Sequence, residues 1–391
     1  MKSFILITGL LLMITAEILR VYFIMPFPGS QRANTIDLAY RLDRNIIWIR
    51  FLLLLLIAYP AFYVLKYSRT WRKILLIFFL AVYTLIYYFF NFRFLAEKMF
   101  YQPNHIQFAY MNSNKVGNDK LVLGVVINGE ARAYPIELIG YHHQVRDSVG
   151  GTPVMVTYCT VCRTGRVYSP LVNNHNENFR LVGMDHFNAM FEDATTRSWW
   201  RQVSGEAITG PLKGKSLTVI PSRQMRLGSW LALYPTSRIL QPDPDFQKQY
   251  DDLAGFDEGT LASSLEKRDS LAWKPKSWVI GVDYKGHSKA WDWNELSRKH
   301  LIEDSIPGLA LAIVLENDGK SFHVWNRELN GKALKFLPYP ENIWQDLSTG
   351  SYWDRSGLCV GGELKGQQLE SIPASQEFWH SWSTFHPSTM K

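Results

Sequence analysis

Three apolar stretches crowd into the first hundred residues, and they constrain the chain more than any other feature. Phe4 to Met25 is long enough to cross a hydrocarbon core, which takes about 20 helical residues, and Pro26 and Pro28 close it. No small-x-small cleavage site follows it and further apolar runs do, so it reads as an anchor and not as a signal peptide. Ile46 to Leu65 is the second candidate span, with Pro60 expected to kink it and Arg50 near enough to its start to snorkel. Ile74 to Phe92 is the third. Its Tyr83, Tyr87, Tyr88, Phe89 and Phe90 are weighted towards the exit end, where amphipathic rings favour the headgroup layer. Residues 1–100 are therefore expected to form a membrane region with helices at about 4–25, 46–65 and 74–92, and the lipid bilayer is the first partner.

Lys66, Arg69, Arg72 and Lys73 make the loop between the second and third spans densely basic, which favours keeping it in the cytoplasm. The remainder is then expected on the extracytoplasmic, periplasmic side, although Arg32, Arg41, Arg44, Arg93 and Lys98 would share that side. Glu17 and Arg20 are spaced i to i+3 and are expected to pair on one helix face near the outer interface.

After about Phe100 the composition changes to the mixture of charge, Gly, Pro and aromatics found in folded soluble domains. The net charge of +7 does not mark a nucleic-acid surface, because Lys and Arg are interspersed with Asp and Glu and much of the excess flanks the membrane segments. Nucleotide-binding glycine loops, Gly-x-Ser-x-Gly and His-Glu-x-x-His are all absent from this part.

Sliding the soluble part over itself by about 157 residues brings LVLGVVINGEARAYPIEL, from Leu121, over WVIGVDYKGHSKAWDWNE, from Trp278. Gly124 meets Gly281, Gly129 meets Gly286, Ala133 meets Ala290, and Asp147-Ser148 meets Asp304-Ser305. A slightly smaller shift matches Trp200 with Trp353, Gly205 with Gly357, Pro221 with Pro373, and Trp230 with Trp382. The expectation is a duplicated module, with a first repeat at 101–242, a polar connector at 243–277 and a degenerate second repeat at 278–391. Within each copy, an apolar β-branched run, a turn dipeptide (Asn128-Gly129 or Lys285-Gly286) and a second run spell a hairpin. Val154 to Tyr158 and Gly165 to Ser169 read as strands, and Arg226 to Tyr234 as a short helix. The fold class expected is an α-helical transmembrane region plus an α+β, mainly antiparallel β soluble domain built from two diverged repeats.

Three cysteines are too few for a disulfide framework, and only Cys159 and Cys162 are close in sequence. The run VTYCTVCRTGRVYS places them in a turn directly after a strand, a spacing at which two thiols can reach each other or one metal ion. Arg163 follows where a haem-attachment signature would need His. The next segment is strand-like, so no helix N-terminus is available to lower a thiol pKa, and Arg163 and Arg166 are the candidates for that role. Cys359 has no evident partner and reads as a small buried apolar residue. Glu316 and Gly319 stand near the cysteine positions in the second copy, which therefore cannot repeat their chemistry and is expected to buttress the first.

These residues resemble the DUF3179 family, whose signature runs His-Glu-x-Val-Asn-Asp, then Gly-Gly, then Thr-Tyr-Cys-x-x-Cys. This chain has YHHQVRDSVGGTPVMVTYCTVCRTG, so His142 and Asp147 take the family's His and Asp, while His143 and Arg146 depart from the pattern. The resemblance continues through FNAMFEDATTRSWWRQVSGEAITGP, which brings in Asn188, Asp193, Trp200, Gln202 and Glu206 as supporting residues beside Asp147 and Tyr158. Some members of the family carry selenocysteine in this motif, and that implies redox chemistry, because selenium raises the reactivity of a nucleophile but adds little to a structural bridge.

Three readings stay open at this point. In the first, Cys159 and Cys162, with His142 and Arg163, form a thiol/disulfide redox site in an oxidising compartment, serving an unidentified redox or small-molecule partner. In the second, Cys159, Cys162, His142 and His186 (with Asp193 as the other possible fourth ligand) bind copper or zinc. In the third, the cysteines form a structural bridge that needs no chemistry at all; a membrane-tethered binding or sensing module without catalysis stays open as a different class beside these. His142 is expected on the strand before the Gly150-Gly151 turn, beside the cysteines.

Overall fold

The computed structural model describes all residues from Met1 to Lys391. They form two compact units: Met1–Tyr101 together with Glu177–Ser216, and Gln102–Asn176 together with Leu217–Lys391.

The first unit contains three helices long and apolar enough to cross a membrane: α1 (Lys2–Tyr22), α2 (Ile36–Tyr67) and α3 (Thr70–Phe92). Helix α2 starts ten residues before the expected span, with Asp37 in its first turn, and runs on through Pro60. The expected pairing of Glu17 with Arg20 is not what forms. Glu17 accepts two hydrogen bonds from Arg50 of α2, at 2.6 and 2.7 Å, and a third from Asn91 of α3 at 3.0 Å. Arg20 instead bonds Asp43 at 2.8 Å and Asn91 at 2.6 Å. In an apolar environment a charge does better with a bidentate partner on another helix than with a single contact one turn along its own. The three spans are thus tied together by a satisfied polar network.

The rest of this unit is an antiparallel sheet of strands Phe179–Asp185, Asn188–Asp193, Trp199–Arg201 and Ala207–Thr209. It is seated on the helical part through backbone and side chains. Met184 N–H donates to Ile24 O at 2.7 Å, Lys213 pairs with Asp37 at 2.8 Å, and the Tyr40 and Trp199 rings meet edge to face at 5.2 Å. Gly183 permits this approach, since a Cβ there would lie 2.2 Å from Ile24 O.

The second unit is built from mostly antiparallel sheets with short helices. A hairpin of β1 (Leu121–Ile127) and β2 (Glu130–Pro135) leads into α4 (Ile136–His142), followed by a sheet of β3 (Gln144–Val149), β4 (Thr152–Cys159) and β5 (Thr164–Tyr168). Strand β6 (Ser222–Arg226) returns alongside β1, and α5 (Leu227–Leu233) and β7 (Arg238–Leu240) follow, β7 lying parallel to β2. The same succession occurs further on. A hairpin of β8 (Trp278–Tyr284) and β9 (His287–Asp292) leads to α6 (Trp293–Lys299) and then to β10 (Leu301–Ile306), β11 (Leu309–Leu315) and β12 (Phe322–Asn326). There β13 (Ser375–Phe378) returns alongside β8 and α7 (Trp379–Phe385) follows. The hairpin turns have the left-handed backbone that the dipeptides demand, with φ of 50° and 80° at Asn128-Gly129 and 49° and 81° at Lys285-Gly286. Trp230 is packed so closely on Gly124, and Trp382 on Gly281, that a Cβ at either glycine would lie 2.2 Å from the indole.

Residues 243–277 do more than connect. Phe246, Tyr250 and Phe256 are buried, and Asp257 accepts from Leu121 N–H at 2.8 Å to fix the start of β1.

Candidate functional site

Strand β4 ends at Cys159 and β5 begins at Thr164, so Cys162 sits in the tight turn between two paired strands. Arg163 closes that turn with φ of 55°, a left-handed value that a side chain with a Cβ adopts only when its surroundings hold it there. Both cysteines are free thiols and both are fully buried.

The Cys162 thiol is within hydrogen-bonding reach of Cys159 and of Ser381, and Lys276 stands close enough for its charge to act on it. Burial is the largest influence and pushes the Cys162 thiol well above its ordinary pKa. Contact with Cys159 pushes in the same direction, while Ser381 and Lys276 pull it back. Of the two arginines that the sequence suggested, Arg166 is close enough for its charge to act on Cys162, yet burial still holds the thiol up. Desolvation of the anion outweighs the cation beside it.

Arg163 is engaged with other partners. Its guanidinium turns away, donating from Nε to Gln376 Oε1 at 2.8 Å and from its terminal nitrogens to the carbonyls of Phe256 at 3.1 Å and Asp257 at 3.4 Å. It also stacks on Trp278, 3.8 Å from the ring centroid. Arg163 is thus a buried clamp between the cysteine turn, residues 256–257 and β13. Arg166 pairs with the buried Glu377, which also accepts from Ser381 at 3.0 Å.

Sequence reasoning missed the residues that close over the cysteines, Lys276, His380 and Ser381. Lys276 Nζ donates to Val161 O at 2.6 Å, His380 Nε2 lies 3.0 Å from the same carbonyl, and Phe378 N–H donates to Cys162 O at 3.0 Å. Burial and the adjacent Lys276 push the His380 imidazole down to about 4, so it is neutral near pH 7. Burial also lowers the Lys276 ammonium, while the thiol sulfurs of Cys162 and Cys159 favour its charged form. The available signal was the match of Trp230 with Trp382, which lays α7 over α5 and so marks the tail as an element that packs on a hairpin.

His142 is the last residue of α4 and not part of a strand, because Pro135 ends β2 and the chain turns helical at once. Its Nε2 is 2.6 Å from Tyr250 OH, and its ring meets Phe246 edge to face at 5.1 Å. His143 is buried with Nδ1 3.0 Å from Tyr141 O, and burial pushes its imidazole down to about 4. Asp147 accepts from Tyr134 OH at 2.7 Å, tying β3 to β2. Tyr158 is buried against Phe256, and its hydroxyl has no hydrogen-bond partner.

The other residues of the motif belong to the first unit. His186 Nδ1 is held by Asp185 at 2.6 Å, which raises the pKa of that imidazole. Asp193 organises the 193–198 turn, accepting from Ser198 N–H at 3.0 Å and Trp200 Nε1 at 2.9 Å. Asn188 Nδ2 donates to Gln202 Oε1 at 3.0 Å, and Glu206 lies 3.7 Å from Arg201. These contacts hold strands and turns together. No group of three or more His, Cys, Asp and Glu side chains is arranged to hold a metal ion.

In the second half, Glu316 is fully buried between His323 at 2.8 Å and Arg355 at 3.2 Å. Cys359 is buried in the core formed by Trp325, Trp344 and Trp353.

A family model described as "Protein of unknown function (DUF3179)" matches residues 102–389. No curated protein and no solved structure matches the chain.

Proposed function

The chain belongs to the DUF3179 family, and from that premise we propose that it is an integral membrane protein whose soluble part lies outside the cytoplasm and carries a thiol/disulfide couple at Cys159 and Cys162. The observation that carries this reading is the placement of two free, buried cysteines in one turn between paired strands, closed over by Lys276 and His380 on the Val161 carbonyl. Lys276 is the counter-ion for the thiolate that exchange requires. The Cys162 thiolate attacks one sulfur of an external disulfide, forming a mixed disulfide and expelling one thiolate. The Cys159 sulfur then displaces the second thiolate and closes the Cys159–Cys162 bond. Two electrons pass to the external disulfide, and its two sulfurs leave as thiols carrying the two protons from the cysteines. Because both thiols are buried, exchange requires the cover of Lys276, His380 and β13 to open. The basic loop at Lys66, Arg69, Arg72 and Lys73 supports the orientation, which gives the couple an oxidising compartment. Duplication followed by divergence accounts for the recurring order of elements, the second half having kept the covering helix and lost the cysteines.

The copper or zinc reading has less support. No group of three or more His, Cys, Asp and Glu side chains is gathered around the cysteines, and Lys276, whose ammonium cannot be a ligand, stands beside Cys162.

Equilibrating the purified full-length protein in thiol/disulfide buffers of stepped ratio, denaturing it in acid and alkylating it tests the proposal. Cys159 and Cys162 are expected to switch together from two labels to none, with Cys359 labelled throughout. Labelling of both at every ratio, or release of stoichiometric copper or zinc on oxidation, overturns it.

A further inference from the structure

One end of the helix bundle, formed by the start of α1, the end of α2 and the start of α3, is rich in cations. Lys2, Lys66, Arg69, Arg72 and Lys73 all lie there, and the sequence has no Asp or Glu before Glu17 or between Phe51 and Ala96. The acids these helices do carry lie further along, where Glu17, Asp43 and Asp37 are taken by Arg50, Arg20 and Lys213. The basic side chains rest on aromatic faces instead. Lys2 Nζ is 3.7 Å from the Tyr63 centroid, Lys66 Nζ 5.4 Å from Tyr67, and the Arg72 guanidinium 5.2 Å from Trp71. A ring attracts a cation but does not neutralise it, so this end needs counter-charge from outside the chain.

Beside these cations runs a groove of about 270 Å³ between the helices. Leu6, Ile7 and Leu10 form one wall, Leu75 and Phe79 the other, and Arg72 stands at its edge with Ser3. From Ser3 to Leu10 it extends about 10 Å along α1 at the rise of an α-helix. An apolar slot with Arg72 in its lining, at the end of the bundle where Lys73 is its neighbour in sequence, matches a molecule with a hydrocarbon chain and an anionic head. In a bilayer the groups of that kind are anionic phospholipids.

We propose that this groove binds one anionic phospholipid, its acyl chain along Ile7, Leu10 and Leu75 and its phosphate on Arg72 and Lys73. The site is independent of the thiol chemistry. Inorganic phosphate has the charge but nothing to fill the groove, and a zwitterionic lipid has the chain but no net charge.

Native mass spectrometry of the full chain, in detergent micelles doped with phosphatidylglycerol or phosphatidylcholine, tests this. One tightly held phosphatidylglycerol is expected, in preference to phosphatidylcholine and not displaced by millimolar inorganic phosphate. Arg72→Gln/Lys73→Gln should weaken phosphatidylglycerol by about fivefold per charge removed. Ile7→Trp, which fills the groove and leaves every charge, should weaken it as well. Where Ile7→Trp lowers the melting temperature of the protein, Leu75→Trp fills the groove from the other wall and replaces it. The proposal is overturned if the charge variant binds like the wild type. It is also overturned if the groove-filling variants keep full binding, or if phosphate displaces the lipid, because the cations would then be attracting headgroups without a site.

Discussion

Lys276 donates to the carbonyl of Val161, the residue just before Cys162, at 2.6 Å. The contact places an ammonium over the cysteine turn from a position 115 residues away in sequence. Since Lys276 lowers the pKa of Cys162 against the effect of burial, Lys276→Met is expected to raise it further. The midpoint of the pH profile of alkylation of the folded protein, measured with a small maleimide, should therefore move to higher pH, whereas the absolute rate also reports opening of the cover that Lys276 helps to close. A midpoint that stays in place or moves to lower pH would remove Lys276 from the site.

Arg163 is expected to matter for stability and not for thiol reactivity. Arg163→Met strips Gln376, Phe256 O and Asp257 O of a donor. Each acceptor keeps a second donor, Gln224 Nε2, Gly259 N–H and Lys320 Nζ respectively, so what is lost is the charged-group hydrogen bonding and the stacking on Trp278, about 1.5–3 kcal/mol, seen as a lower melting temperature. The pH profile of Cys162 alkylation in the folded state should stay where it is, whereas a shift as large as that of Lys276→Met would return Arg163 to the chemistry.

Acidification should weaken the soluble part. The imidazoles of His143 and His380 fall from an ordinary 6.5 to about 4 in the folded protein. Between those values the unfolded chain binds more protons than the folded one, so stability is lost as pH falls through this window. Asp257 acts in the opposite sense, because burial raises its carboxyl from 3.8 to about 6, and below about 6 it cancels part of the loss. Melting temperatures from pH 7 to 4.5 should therefore fall. The fall should be steeper in Asp257→Asn and shallower in His380→Asn, and a rise in wild-type melting temperature on acidification would contradict the assignment.

The Glu17–Arg50 pair joins α1 to α2. Glu17→Leu leaves Arg50 without its bidentate partner and is expected to destabilise the helical part by about 3–5 kcal/mol. Glu17→Leu/Arg50→Leu should recover most of that loss, because removing both charges leaves none uncompensated. Thermal aggregation in detergent reads both variants, and failure of the double variant to recover would mean that the pair serves another purpose.

Much of this was legible in the sequence because it is set by local rules. Three apolar runs exceed the length of a bilayer core, Asn128-Gly129 and Lys285-Gly286 demand left-handed turns, and the cysteines must occupy a turn between paired strands. Helix α4 was not legible, since seven residues after Pro135 are too few for a helical period to show against a strand. Nor were the partners of the charged groups. Glu17 could have paired with Arg20 by spacing, and Arg163 could have faced the thiols by adjacency. Which cation meets which anion, and which lysine covers a cysteine, depends on contacts between residues far apart in the chain. His380 reaches Val161 from 219 positions away, and only the return of β13 and α7 onto the cysteine turn brings the two together. Local propensity decides elements one at a time. The electrostatics of a buried site is decided by everything that surrounds it, which exists only once the chain has folded.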